Sequence, residues 1–218
     1  MVDHNKDVPF SMTMAGFVVP LVTGLLSACC SFVILNLIFK SPEKLGTTYH
    51  RMMAIMSVFD VIASVFIAVG TIMMPSDNVY EFKGPMLGNH VTCQIQGFCI
   101  GFGMGGGGAL YTCLSWYFVC RVAFKMNADK IKRTIEPMFY IYSLFVAIFL
   151  PSYYLSQDFI SPIANDSFCN MAAYPSSCET WNDCIWNGHM MDFSLKIVVI
   201  WVIVSLVLIV GAMIIIIW

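Results

Sequence analysis

Hydrophobic positions in this chain do not recur at the period of a half-buried helix or strand; they come in five long blocks with short polar stretches between most of them. The blocks run from Met14 to Phe39, Met52 to Met74, Val91 to Cys120, Met138 to Leu155 and Leu195 to Trp218. Each meets or exceeds the ~18 residues that cross a bilayer as a helix. An isolated strand in hydrocarbon would leave its amides unpaired, so helix is the economical state for such blocks. The pattern predicts an all-α membrane protein, one transmembrane domain over 1–218, with spans near 14–39, 52–74, 91–120, 138–155 and 195–218 and a long loop at 156–193. Met1-Val-Asp-His-Asn-Lys-Asp lacks the basic start of a cleaved signal peptide, and the block behind it is too long for one. The first span is therefore expected to be retained.

Composition agrees. Of 218 residues, 59% are hydrophobic and 11% charged, against near half and about a quarter in soluble domains. So few charges cannot cover a globule of this size, and the blocks need lipid as their solvent. No nucleic-acid partner is expected.

Lys and Arg collect in cytoplasmic loops. Lys40, Lys44 and Arg51 surround the first loop; Arg121, Lys125, Lys130, Lys132 and Arg133 surround the third, and together these are eight of eleven. The opposite side holds Lys6, Lys83 and Lys196, together with most of the acids. The amino end is predicted outside. Cys93, Cys169, Cys178 and Cys184 all fall at or beyond that outer face, where disulfides persist. Four cysteines allow three connectivities. Cys29, Cys30, Cys99 and Cys113 read as small buried hydrophobes, and Cys120 beside Arg121 as a buried thiol or a palmitoylation point. Asn165-Asp166-Ser167 fits the N-glycosylation pattern in the long outer loop.

Three pieces carry a resemblance. Thr48-Tyr-His-Arg51-Met-Met-Ala-Ile-Met-Ser-Val-Phe-Asp60 is a basic loop end running into a span with an acid partway across; Cys93-Gln-Ile-Gln-Gly-Phe98 opens the third span; Cys169 and Cys178 bracket Tyr174-Pro175 in the long loop. Together they resemble the seven-helix G-protein-coupled receptor class, in particular its cyclic-AMP-receptor-like and secretin-like branches of unicellular eukaryotes, along the whole chain in order. The resemblance implies five helices of a seven-helix bundle in the plasma membrane, an extracellular ligand and a heterotrimeric G protein. It also implies a disulfide from Cys93 to Cys169, leaving Cys178 and Cys184 for each other. This sequence departs from the family in having Asn170 after Cys169, where Trp is common, and Cys120-Arg121-Val122 where one branch has an acid-Arg-Tyr triplet. It also ends inside the fifth block, and the expectation is a fragment whose sixth and seventh helices lie beyond Trp218. Coupling in this class uses a cavity built partly by helix six.

Asp60 sits roughly 13 Å deep by helical rise, where an ionised acid is costly and marks a functional site by default. Two readings stay open: an ion or water site, as in similar receptors, with Asn36, Ser57, Thr112 and Ser115 as available partners, or a hydrogen-bonded Asp that joins helices. Gly101 to Gly108 contains G-x-G-x-x-G, but mid-membrane and after no strand, so close helix approach is the reading and not a nucleotide loop. Pro20 and Pro151 fall inside spans, where neighbours can re-satisfy the freed carbonyls. Gln94, Gln96, Tyr153 and Tyr154 are candidate ligand residues in the outer halves, though an interfacial rim has the same composition. Trp181, Trp186, Tyr174 and Trp218 suit aromatic belts. His50 and His90 have no partners at metal-ligand spacing, and no cofactor motif, catalytic elbow, zinc pair or P-loop is present, so no enzyme is expected. Two functions compete: an orphan receptor, or a small membrane scaffold or transport subunit without a ligand-gated switch.

Overall fold

The computed structural model describes residues 14–76, 85–162, 167–171 and 191–217. Five helices in it are long and apolar enough to cross a membrane, and the chain is an all-α, multi-pass membrane protein. The helices are α1 Met14–Lys40, α2 Thr48–Val69, α3 His90–Val122, α4 Glu136–Ser156 and α5 Met191–Ile217. Two three-residue strands, β1 Ile160–Pro162 and β2 Cys169–Met171, pair antiparallel between α4 and α5. The apolar blocks did not announce these strands, because three residues carry no readable period.

Local chemistry sets the helix ends. Thr47 caps α2 by accepting from the His50 amide at 3.2 Å. At the far end Gly70 takes φ 52°, and the chain tightens into a 3₁₀ turn, Gly70–Met73. Asn89 and Thr92 form a reciprocal capping box at the start of α3, satisfying two of the orphan amides there. The chain enters α4 through a single turn at Ala128–Lys130, capped by Asn127, and a wide π turn at Ile131–Ile135.

The bundle is built around α3. α1 packs on α2, while α2, α4 and α5 each pack on α3, and α4 and α5 barely meet. Lipid gives apolar helices no reason to prefer each other, so close approach and dispersion must hold them. Glycine supplies the approach. A Cβ at Gly103 would stand 2.6 Å from the Phe59 carbonyl oxygen and 2.8 Å from the Ala63 Cβ; at Gly106 it would meet the Phe59 ring; at Gly108 it would lie 3.1 Å from the Trp201 ring. The run Gly101 to Gly108 is where three helices touch their common neighbour. Gly24 does the same for α1, with the Ser64 carbonyl oxygen 2.7 Å from a would-be Cβ.

Buried side chains form two clusters, one toward each end of the bundle. Met74, Cys93, Tyr154, Phe159, Ile160 and Cys169 gather at the disulfide end, and Met52, Phe59, Leu110, Cys113, Leu114 and Ala147 toward the basic end.

Candidate functional site

At the disulfide end, Cys93 in the first turn of α3 bonds to Cys169 at the start of β2, with Cα atoms 5.4 Å apart. This is the pair that the family resemblance implies; Cys178 and Cys184, like the glycosylation candidate Asn165, lie outside the described residues. Gln96, one turn on from Cys93 and fully buried, adds a second fastening. Its Nε2 donates to the Phe66 and Gly70 carbonyls at 3.0 and 2.8 Å, and its Oε1 accepts from the Cys169 amide at 3.0 Å. Those carbonyls belong to the last turn of α2 and to the first residue of the 3₁₀ turn after it, where helix geometry gives way and orphan acceptors appear. A third fastening uses Pro20. Proline at that position cannot donate to Gly16, four residues back, and the Ser167 hydroxyl, just before β2, donates to the Gly16 oxygen at 2.6 Å. The strand pair is thus tied to α1, α2 and α3.

Beside this strand pair lies a cavity of about 320 Å³ between α3, α4 and α5. Gly97, Gly101 and Gly105 face it from α3, Tyr154 from α4, and Trp201 and Val202 from α5. The Trp201 indole N–H donates to the Tyr142 hydroxyl at 3.3 Å and bridges α5 to α4. Tyr154 is 4% exposed, and its hydroxyl has no hydrogen-bond partner among the described residues.

The four candidate ligand residues separate here. Gln96 has both its amide groups occupied and is a structural tie. Gln94 is at the surface, its Nε2 donating to Asp158 and lying 3.4 Å from His90 Nε2. Tyr153 packs edge-on against Tyr154, ring centres 5.8 Å apart. Only Tyr154 lines the cavity.

Asp60 meets neither Asn36 nor Ser115. Its Oδ2 accepts from Ser27 at 3.0 Å and from Ser31, both on α1. Helical phase explains the difference. Gly24, Ala28 and Ser31 form the buried stripe of α1, with Ser27 beside it, whereas Asn36 is exposed. Ser57, Thr112 and Ser115 turn their hydroxyls back onto the carbonyls of Met53, Gly108 and Tyr111 in their own helices. No group of three or more His, Cys, Asp or Glu side chains that could hold a metal exists among the described residues.

A polar cluster at the basic end went unread in the sequence. Arg51 Nε and Nη2 grip Glu136 Oε1 and Oε2, each at 2.6 Å, and Arg51 Nη1 donates to the Leu45 and Gly46 carbonyls. Thr48 and Tyr140 hydroxyls donate to the same carboxylate at 2.7 and 2.8 Å. The available signal was spacing: Thr48 with Arg51 at i, i+3 and Glu136 with Tyr140 at i, i+4 put each pair on one helix face. Cys120, at this end of α3, is buried.

No protein-family model matches the chain, and comparison with curated proteins finds no match.

Proposed function

We propose that this chain is a receptor-like plasma-membrane protein of the seven-helix class, with its amino end and strand pair outside. One observation carries the reading: the Cys93–Cys169 bond holds a loop segment against the first turn of α3, beside a cavity between α3, α4 and α5. A membrane anchor has no use for a loop fixed covalently at a cavity, whereas a sensor of external molecules needs its binding wall held still. The uneven spread of Lys and Arg supports the orientation. An extracellular ligand is a partner of this reading, and a heterotrimeric G protein is one only where helices six and seven exist.

The test has two parts. Sequencing cDNA across the Trp218 codon should reveal two further apolar spans. Membranes carrying the full reading frame should then accelerate GTPγS exchange on added heterotrimeric G protein, and Asn165 should carry glycan that an endoglycosidase removes. A stop codon at that point, or a full-length protein without effect on exchange, favours the membrane scaffold or transport subunit instead.

A further inference from the structure

Seven cations stand exposed at the basic end of the bundle with no ion-pair partner among the described residues. They are Lys40 and Lys44 in and after the last turn of α1, and Arg121, Lys125, Lys130, Lys132 and Arg133 along the segment from α3 to α4. Arg51 alone at this end is paired, with Glu136. The exposed acids there are Glu43 and Asp129, and neither forms an ion pair. A surface with such an excess of one sign attracts anions. Its form decides which anion it suits.

α3 has 33 residues, roughly 50 Å of helix, against a hydrocarbon core of ~30 Å. Arg121 in its last turn and the segment behind it therefore emerge in the headgroup layer and not in bulk water. The turn that follows is shaped for that layer. The Met126 N–H donates to the Cys120 carbonyl and the Arg121 guanidinium to the Met126 carbonyl, each at 2.9 Å, which folds the chain back onto the end of α3. Lys125 takes φ 47° at the bend, and Phe124 beside it is 63% exposed. An aromatic ring and a cation side by side on a fixed turn suit the boundary between hydrocarbon and headgroups; a soluble anion would leave the ring in water. Farther on, Ile131 is fully buried and pins the entry to α4, so Lys130, Lys132 and Arg133 around it are held on a fixed surface. We propose that the segment from α3 to α4 binds the anionic phospholipid headgroups of the leaflet at the basic end, with Lys125, Lys130, Lys132 and Arg133 toward the phosphates and Phe124 at the edge of the hydrocarbon. The proposal requires only that the chain lies in a bilayer, and it stands whether or not the protein signals.

Proteoliposomes holding the full chain, with a trace of spin-labelled phosphatidylserine or phosphatidylcholine, report which lipid the protein holds at its boundary. At low salt the serine lipid should be preferred about fivefold, the worth of one cation at an anionic surface. About 1 M NaCl, which shortens the reach of charge to about 3 Å, should bring the ratio close to unity. Lys125→Gln, Lys130→Gln, Lys132→Gln and Arg133→Gln combined should do the same at low salt, whereas Lys196→Gln, at the opposite end of the bundle, should leave the preference unchanged. The four side chains hold no ion pair or hydrogen bond among the described residues, so the combined variant should melt as the native chain does. A ratio near unity for the native chain at low salt, or a preference that the combined variant retains, overturns the proposal. Binding of soluble polyglutamate to the chain in phosphatidylcholine vesicles, without any preference for the serine lipid, overturns it in favour of an acidic protein partner. Either result leaves the GTPγS test of signalling untouched.

Discussion

Arg51 at the start of α2 and Glu136 at the start of α4 form a two-pronged ion pair, both N–O distances 2.6 Å, across 85 positions of sequence. α2 and α4 both pack on α3, so this pair and its satellites Thr48 and Tyr140 close the basic end of the bundle from one side of α3 to the other.

Removing one partner should therefore cost more than removing both. The Glu136 side chain is 6% exposed and Arg51 21%, and stranding one buried charge costs about 3–5 kcal/mol where its partner is lost. Glu136→Ala is expected near the lower end, about 3 kcal/mol, because Arg51 keeps its bonds to Leu45 and Gly46. Arg51→Met with Glu136→Leu should recover most of that loss. Thermal unfolding in detergent, followed by reaction of the buried Cys113 thiol, reads both; equal losses in single and double variants would mean the pair contributes nothing specific.

Reduction should loosen one end of the bundle only. The bond closes a loop of sequence separation 76, and loops of that order contribute about 2–5 kcal/mol when cross-linked. Cys93→Ser with Cys169→Ser should abolish hydrogen-exchange protection at the Ile160 and Ser161 amides and leave the Thr48–Met56 amides as slow as before. Protection that persists at the strand pair would assign the fastening to Gln96 and Ser167 instead.

The glycines of α3 should differ sharply among themselves. Gly103→Ala places a methyl against backbone atoms of α2, the nearest at 2.6 Å, where neither helix can yield without shifting. Gly105→Ala meets Val146 at an ordinary 3.6 Å, and Gly211 has open space. Alanine at Gly103 should lower the melting temperature markedly, while at Gly211 it should be neutral or stabilising by up to about 1 kcal/mol through helix propensity. Comparable losses at Gly103 and Gly211 would remove close approach as the reason for the glycine run.

Asp60 should behave as a helix fastener. Ser27→Ala and Ser31→Ala are each expected to cost about 0.6–1.7 kcal/mol, the range of interhelical hydrogen bonds in membranes. Replacing sodium with choline should leave the melting temperature of the native chain unchanged. A stabilisation by sodium that vanishes in Asp60→Asn would instead establish the ion site.

The five spans were legible because lipid imposes a length and an apolarity that no other solvent requires, and α1 through α5 follow the five blocks. Side-chain partners were not legible. Choosing Ser27 and Ser31 over Asn36 for Asp60 depends on which stripe of α1 faces α2, and α1 is apolar all round, so its sequence carries no phase. Gln96 looked like a ligand residue because a buried amide in a span invites that reading; its role is set by Phe66, Gly70 and Cys169, remote in sequence. Glu136 and Arg51 stand 85 positions apart, and nothing near either in sequence reveals that the two meet. Pro20 was read for the carbonyl that it frees, but the hydroxyl that satisfies it, Ser167, arrives from the other end of the chain.

Helix α3 also bears on how the molecule is made. It is the least apolar of the five spans and the most enclosed, whereas α5 is the most apolar and the least enclosed. A translocon partitions each segment by its own affinity for lipid, and a glycine-rich stretch gains little there. α3 is thus the span whose entry depends on company: α2 precedes it and presents Phe59 and Ala63 to the glycines that would otherwise face lipid unfilled. The feature that lets the finished bundle close so tightly makes its central post the step at which biogenesis is most easily derailed, and substitutions along the α2 face should appear first as chains degraded soon after synthesis.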